Sequence, residues 1–265
     1  MTVKRNYLHV LWRIPVLVIS LLVLPAIFMI GKLLGISKRT ELPHFFHHLV
    51  CLILGLRKHF SGTISQAKPT LYVSNHVSYL DIFVLGGLRA YFIAKSEVAN
   101  WPILGPLSRF QNTLFFERKA GKARAQLEIM KSHLRTGQRL TLFAEGTSTD
   151  GTHVVPFKSS LFEAANLNGS EQSEPAIKVA IQPISITYTH YDGQKMDQSA
   201  RDNYAWYATM PFTSHFFNLF RLKNVDVKVH FHPVCYLEDF ETRKQCADHC
   251  HKLVAERLDE FINET

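Results

Sequence analysis

Four short apolar runs, separated by turns and helix-like stretches, constrain the fold of this chain more than any other feature. They are Leu71-Tyr72-Val73-Ser74, Tyr91-Phe92-Ile93-Ala94, Leu114-Phe115-Phe116 and Leu140-Thr141-Leu142-Phe143. Each reads as a short buried strand. Ser78–Leu85, Lys122–Arg135 and Ser159–Asn166 carry helical spacing between or after them. Further on, Ile177–Tyr188 reads as one or two strands around Pro183, and Pro211–Phe220 as an aromatic-rich helix. Val225–Val234 alternates as a strand, and Thr242–Ile262 is an amphipathic closing helix. Strands alternating with helices argue for one α/β domain. The 265 residues suffice for a substantial core, and no internal repeat or Gly/Ser linker divides them.

The N-terminal part has a different composition. Lys4, Arg5 and Arg13 come first, and then no charge occurs from Ile14 to Gly31. That run is close to the roughly 20 residues needed to span a bilayer. Pro15 and Pro25 interrupt it, and Pro25 is expected to kink a helix. A spanning helix, a bent interfacial anchor and a cleaved signal peptide all fit the pattern. The run is long for a signal peptide and no small-residue cleavage site follows, so a retained anchor is favoured. The early cations place the N-terminus on the cytoplasmic side of a cytoplasmic membrane. Pro43–Leu56 is a second apolar segment, readable as an interfacial helix or a core helix. The expected division is an anchor with interfacial helices over 1–58 and the α/β domain over 59–265.

A net charge of +8 and a pI near 9.3 suit anionic lipid, nucleic acid or acidic carriers. No nucleic-acid recognition motif and no long basic block occur, which favours the membrane or carrier reading. Four cysteines give no disulfide framework. Cys246 and Cys250 share a helix face with His249 nearby, but no second ligand pair has a metal spacing. They read as two half-buried cysteines, and no metal or cofactor is expected.

The chemistry concentrates in Asn75-His76-Val77-Ser78-Tyr79-Leu80-Asp81. In a continuous helix, positions five apart point about 140° away from each other. A histidine in the turn before the helix escapes that limit and can fold back onto a carboxylate in the first turn. Asp81 would then orient one imidazole nitrogen and leave the other as a general base. Asp81 as a mere helix cap, paired with Ser78 in a capping box, is the alternative. Arg118 ends the third strand. It either grips an anionic group or bridges to Glu117 or Glu145. In Phe143-Ala144-Glu145-Gly146-Thr147-Ser148, the glycine lets backbone approach a ligand while Glu145 and Thr147 offer polar contacts. Lys158 adds a cation before the next helix.

Taken in order, Asn75 to Asp81, Leu114 to Arg118, Phe143 to Thr147 and Ile181-Gln182-Pro183-Ile184-Ser185 resemble the four blocks of the lysophosphatidic acid acyltransferase family. The resemblance covers about residues 70 to 190. It implies a single mixed-sheet domain with helices on both faces behind a membrane-anchoring segment. It also implies transfer of a fatty acyl group from acyl carrier protein or coenzyme A to a lysolipid hydroxyl. Catalysis falls to His76 and Asp81, and substrate binding to Asn75, Arg118, Glu145, Gly146, Thr147 and Lys158. Backbone amides at the helix start after His76 are candidates for the oxyanion donors. The third block departs from the family's usual Phe-Pro-Glu-Gly-Thr-Arg-Ser, with Ala144 for proline and Ser148-Thr149 for arginine-serine. Together with Val155-Pro156-Phe157-Lys158-Ser159 and Tyr204-Ala205-Trp206-Tyr207, this is similar to the bacterial branch that includes lyso-ornithine lipid acyltransferases. Their acceptor has no phosphate. Two rivals remain: a non-catalytic membrane lipid-binding protein, and a lipid esterase, which the absence of a Gly-x-Ser-x-Gly elbow disfavours.

Overall fold

The computed structural model describes residues 3, 5–34, 41–101, 104–117, 119–167 and 177–264. Helices α1 (Tyr7–Leu33) and α2 (Glu41–Leu54) come first. The strands are β1 (Leu56–Gly62), β2 (Thr70–Ser74), β3 (Tyr91–Lys95), β4 (Leu114–Phe116), β5 (Arg139–Phe143), β6 (Ala180–Tyr191), β7 (Gln194–Lys195) and β8 (Val225–Phe231). Helices α3 (Leu80–Leu85), α4 (Leu104–Phe110), α5 (Ala123–Arg135), α6 (Ser159–Phe162), α7 (Gln198–Arg201) and α8 (Phe212–Leu219) lie between them, and α9 (Arg243–Asn263) closes the chain.

The strands make one mixed sheet in the order β1-β8-β6-β2-β5-β3-β4, with β7 on β6. Strands β6, β2, β5, β3 and β4 are mutually parallel. Strand β8 runs antiparallel to β6 and parallel to β1. Successive side chains on a strand face opposite sides. Leu71 and Val73 accordingly pack with Met130, Leu134, Cys250 and Val254 of α5 and α9. Tyr72, between them in sequence, packs with Val50, Leu54, Leu80 and Val84 of α2 and α3. The sheet is thus covered by helices on both faces, as the sequence motifs implied.

Strand β1 was not foreseen. Only Leu56 of its seven residues is fully buried, and Arg57, Lys58 and His59 break any apolar alternation. Its pairing is dictated by β8, and Asp226 holds both Arg57 (3.2 Å) and His59 (2.9 Å). The boundary expected after residue 58 therefore cuts through a strand. Val50, Cys51, Ile53 and Leu54 of α2 are buried in the core, so this segment follows the core-helix reading. Strand β6 runs unbroken through Pro183, as one strand rather than two. Helix α4 also forms where no element was expected. Thr242 caps α9 as a capping box: its hydroxyl accepts from Gln245 N (3.2 Å) and its N–H donates to Gln245 Oε1 (3.0 Å).

Helix α1 is continuous across positions 15 and 25. Its Tyr7–Leu24 stretch is long and apolar enough to cross a membrane. One face leans on the domain: Val10, Ile14 and Leu17 meet the core, and buried Arg13 donates to Leu222 O at 2.5 Å. Leu8, Leu11, Ile19, Leu22 and Val23 are exposed on the rest.

Candidate active site

At the end of β2 the chain must turn without losing its hold on the sheet. Asn75 does this by copying a backbone ladder with its side chain. Its Nδ2 donates to Ile186 O (2.9 Å) and its Oδ1 accepts from Ile186 N (2.8 Å). Asn75 is 1% exposed. It was expected among the substrate-binding residues; in the structure it faces β6, braces the turn and does not line the cavity described below.

The turn brings His76 onto Asp81. His76 Nδ1 lies 2.8 Å from Asp81 Oδ2, and an ionised carboxylate only accepts, so Nδ1 carries the proton. The same oxygen accepts from Val77 N (2.8 Å) and Ser78 N (3.0 Å), while Oδ1 accepts from the Tyr188 hydroxyl (2.8 Å). Asp81 is completely buried. Four donors compensate its loss of water. The expected Ser78–Asp81 capping box is only half formed. Tyr79 stands at the helix start with no side-chain cap bond, and Ser78 Oγ is buried without a partner among the described residues. The Val77 and Ser78 amides are committed to Asp81, which removes them as oxyanion donors.

The His76 ring stacks on Phe143, with centroids 3.9 Å apart and planes at 14°. Its backbone is pinned from both sides: His76 N donates to Glu145 Oε1 (2.6 Å), and His76 O accepts from Thr149 N (2.9 Å). Nε2 has no partner among the described residues, and the ring lines a cavity of about 1270 Å³. That space exceeds the usual range for a small-molecule pocket. Its wall is largely apolar, with Leu21 and Leu24 of α1, Phe46 of α2, and Ile82, Phe83 and Trp101.

Glu145 does not face this cavity. It is 1% exposed, and its second oxygen accepts from Val155 N at 2.6 Å. Burial pushes its carboxyl up to about 7 against the pull of those two amides, with the Asp81 charge adding to the rise. Glu145, expected among the acceptor-binding residues, ties the His76 turn to the 149–155 loop and points away from the cavity. Gly146, Thr147 and Lys158 do line the cavity beside His76, and so does Ser148. Gly146 has φ +68°, a backbone shape that favours glycine, and the flexible Lys158 side chain reaches to within 2.5 Å of where a Cβ would sit. The Lys158 side chain is exposed. Arg118 lies outside the described residues. Its neighbour Glu117 pairs with Lys119 at 2.9 Å.

Sequence reasoning missed Tyr188 and the stacking role of Phe143. Tyr188 is 107 positions from Asp81, and no local spacing signals that contact. Phe143 was visible only as the last residue of a strand and the first of the third motif, with no sign of its contact to His76.

The Acyltransferase family matches residues 55–187. A lyso-ornithine lipid O-acyltransferase of Brucella abortus is 36% identical over 86% of this chain and 85% of its own length. A 1-acyl-sn-glycerol-3-phosphate acyltransferase of Neisseria gonorrhoeae is 28% identical over 67% and 64%. The crystal structure of the 1-acyl-sn-glycerophosphate acyltransferase PlsC of Thermotoga maritima superposes with a TM-score of 0.70, covering 98% of this chain and 97% of that one. At 19% identity that likeness concerns the fold. The match over half the chain, and the identity to curated relatives along most of it, establish that this protein belongs to the acyltransferase family its motifs resemble.

Proposed function

We propose that the protein moves a fatty acyl group from an acyl thioester to the free hydroxyl of a lysolipid, with lyso-ornithine lipid as the preferred acceptor. One observation carries the mechanism: His76 Nδ1 is held by buried Asp81 while the ring borders a large apolar cavity. Nε2 takes the proton of the acceptor hydroxyl as its oxygen attacks the thioester carbonyl. The C–O bond forms and the C–S bond breaks. The leaving thiolate recovers the proton from the imidazolium, and Asp81 keeps its contact with Nδ1 throughout. The apolar wall accommodates the acyl chain. Acyl carrier protein and coenzyme A are both acidic donors, and the +8 net charge suits either.

Two features support the acceptor. The higher identity is to a lyso-ornithine lipid enzyme, and Ser148 stands on the cavity wall where the commoner pattern has an arginine. Lys158 then faces the acceptor's remaining anionic group. Membrane attachment through the exposed apolar side of α1 brings the site to its lipids, with the domain on the cytoplasmic side. The test offers purified protein both lysolipids with both thioesters and identifies products by mass. Acylated ornithine lipid as the main product is expected, and exclusive formation of phosphatidic acid overturns the acceptor reading. His76→Ala should lower the rate by about 10²- to 10⁴-fold. Near-native transfer by that variant, correctly folded, overturns the role of His76.

A further inference from the structure

Three of the four cysteines converge in the core layer under α5 and α9, outside the cavity that His76 lines. Cys246 and Cys250 lie one helical turn apart on the inner face of α9. Cys235 follows β8 and is fixed by a two-way bridge to β6: Ile181 N donates to Cys235 O (2.8 Å) and Cys235 N to Ile181 O (2.9 Å). The three sulfurs all lie within 4.8 Å of one another, and Cys235 Sγ is 3.9 Å from Cys250 Sγ. Each residue is at most 7% exposed. Small apolar side chains would fill such a space equally well. A chain that uses cysteine four times in 265 residues has no packing reason to gather three of them from two elements.

We propose that Cys235, Cys246 and Cys250 form a structural site for a thiophilic d10 cation, zinc(II) foremost. Zinc–sulfur bonds of about 2.3 Å in a tetrahedral shell set sulfur–sulfur separations near 3.8 Å. The Cys235–Cys250 distance already matches that edge, and small rotations of Cys246 complete the face. Each thiol that ligates releases its proton to solvent. His249 follows Cys246 by three positions, beside the cysteine face of α9, and its ring rests near Phe240 (5.2 Å). It has the chemistry for the fourth position, which a water molecule could also fill. The site would clip the end of β8 to α9 and so fasten the helix that covers β6. Sequence spacing hid it because Cys235 belongs to a different element.

The experiment uses the full chain, reduced and freed of metal, and titrates it with cobalt(II) and then zinc(II). One equivalent of cobalt giving a thiolate-to-metal charge-transfer band, displaced by one equivalent of zinc, is expected. The wild-type protein alone decides this, whether or not cysteine variants fold. Cys246→Ser should abolish stoichiometric retention, while Cys51→Ser, which changes a cysteine of α2 outside the cluster, should keep it. Zinc should also raise the thermal midpoint of the wild type. Absence of the charge-transfer band overturns the proposal. So does a stable Cys235–Cys250 disulfide in protein purified without metal or reductant, which would make the cluster a redox pair.

Discussion

Asp81→Asn separates charge from geometry at the proposed catalytic pair. An asparagine amide is nearly isosteric with the carboxylate. Its oxygen, placed where Oδ2 now sits, keeps the three donors His76 Nδ1, Val77 N and Ser78 N. Its NH2, placed where Oδ1 sits, donates to the Tyr188 oxygen, and that hydroxyl changes from donor to acceptor. The fold and the ring position should therefore survive. What disappears is the negative charge facing the imidazolium as His76 takes up a proton. Two unit charges about 4 Å apart interact by about 4 kcal/mol at an effective dielectric near 20. With about 1.4 kcal/mol per factor of ten, the chemical step should slow by about 10³-fold. The assay is single-turnover acyl transfer at saturating donor, with thermal unfolding measured alongside. A rate within about tenfold of wild type, in protein that keeps its fold, would refute the reasoning. Asp81 would then be an orienting group whose charge is dispensable.

Tyr188→Phe removes one hydrogen bond to a buried charge and should cost about 1.5–3 kcal/mol of stability, read by denaturant unfolding; an unchanged midpoint would show that the contact contributes nothing. Lys158→Ala should raise the apparent acceptor KM by about tenfold with little change in kcat, because uniform binding is lost, whereas a fall in kcat alone would contradict the binding role. Ser148→Arg restores the family's usual cation at the cavity and should shift preference toward lysophosphatidic acid by about tenfold, measured by competition between the two acceptors. Burial holds His47, His215 and His232 each at about 4. Their folded values lie below the unfolded 6.5, so their contribution is present above 6.5 and is lost as pH falls toward 4. Glu145, pushed up to about 7, works in the opposite sense, since acidification relieves its burial. Three losses of up to about 1.4 kcal/mol per pH unit outweigh one gain. The thermal midpoint at about pH 5 should fall below that at about pH 7.5, and the reverse order would contradict this account.

The local periods of the chain were enough to place most of the sheet and its helices. Strands β2, β3, β4 and β5 coincide with their apolar runs to within a residue or two; in β2 and β5 burial on both faces demands such continuous apolar segments, while β3 and edge strand β4 are only partly buried. The His76–Asp81 pair was legible for the same reason: a turn and the first helical residues are set by neighbours in sequence. Where partners lie far apart in the chain, the sequence offered no signal. Strand β1 carries charges and exists because β8 accepts it. Glu145 and Asn75 look like ligand residues in their motifs, but packing turns them inward as braces on the His76 backbone and on β6. By itself, then, the sequence determined the α/β class, the acyltransferase motifs and the meeting of His76 with Asp81. Only the tertiary structure decided which polar residues border the cavity, that Tyr188 supports Asp81, and that Cys235 joins Cys246 and Cys250. Those outcomes depend on contacts spanning tens to hundreds of residues, formed when the sheet and its covering layers close.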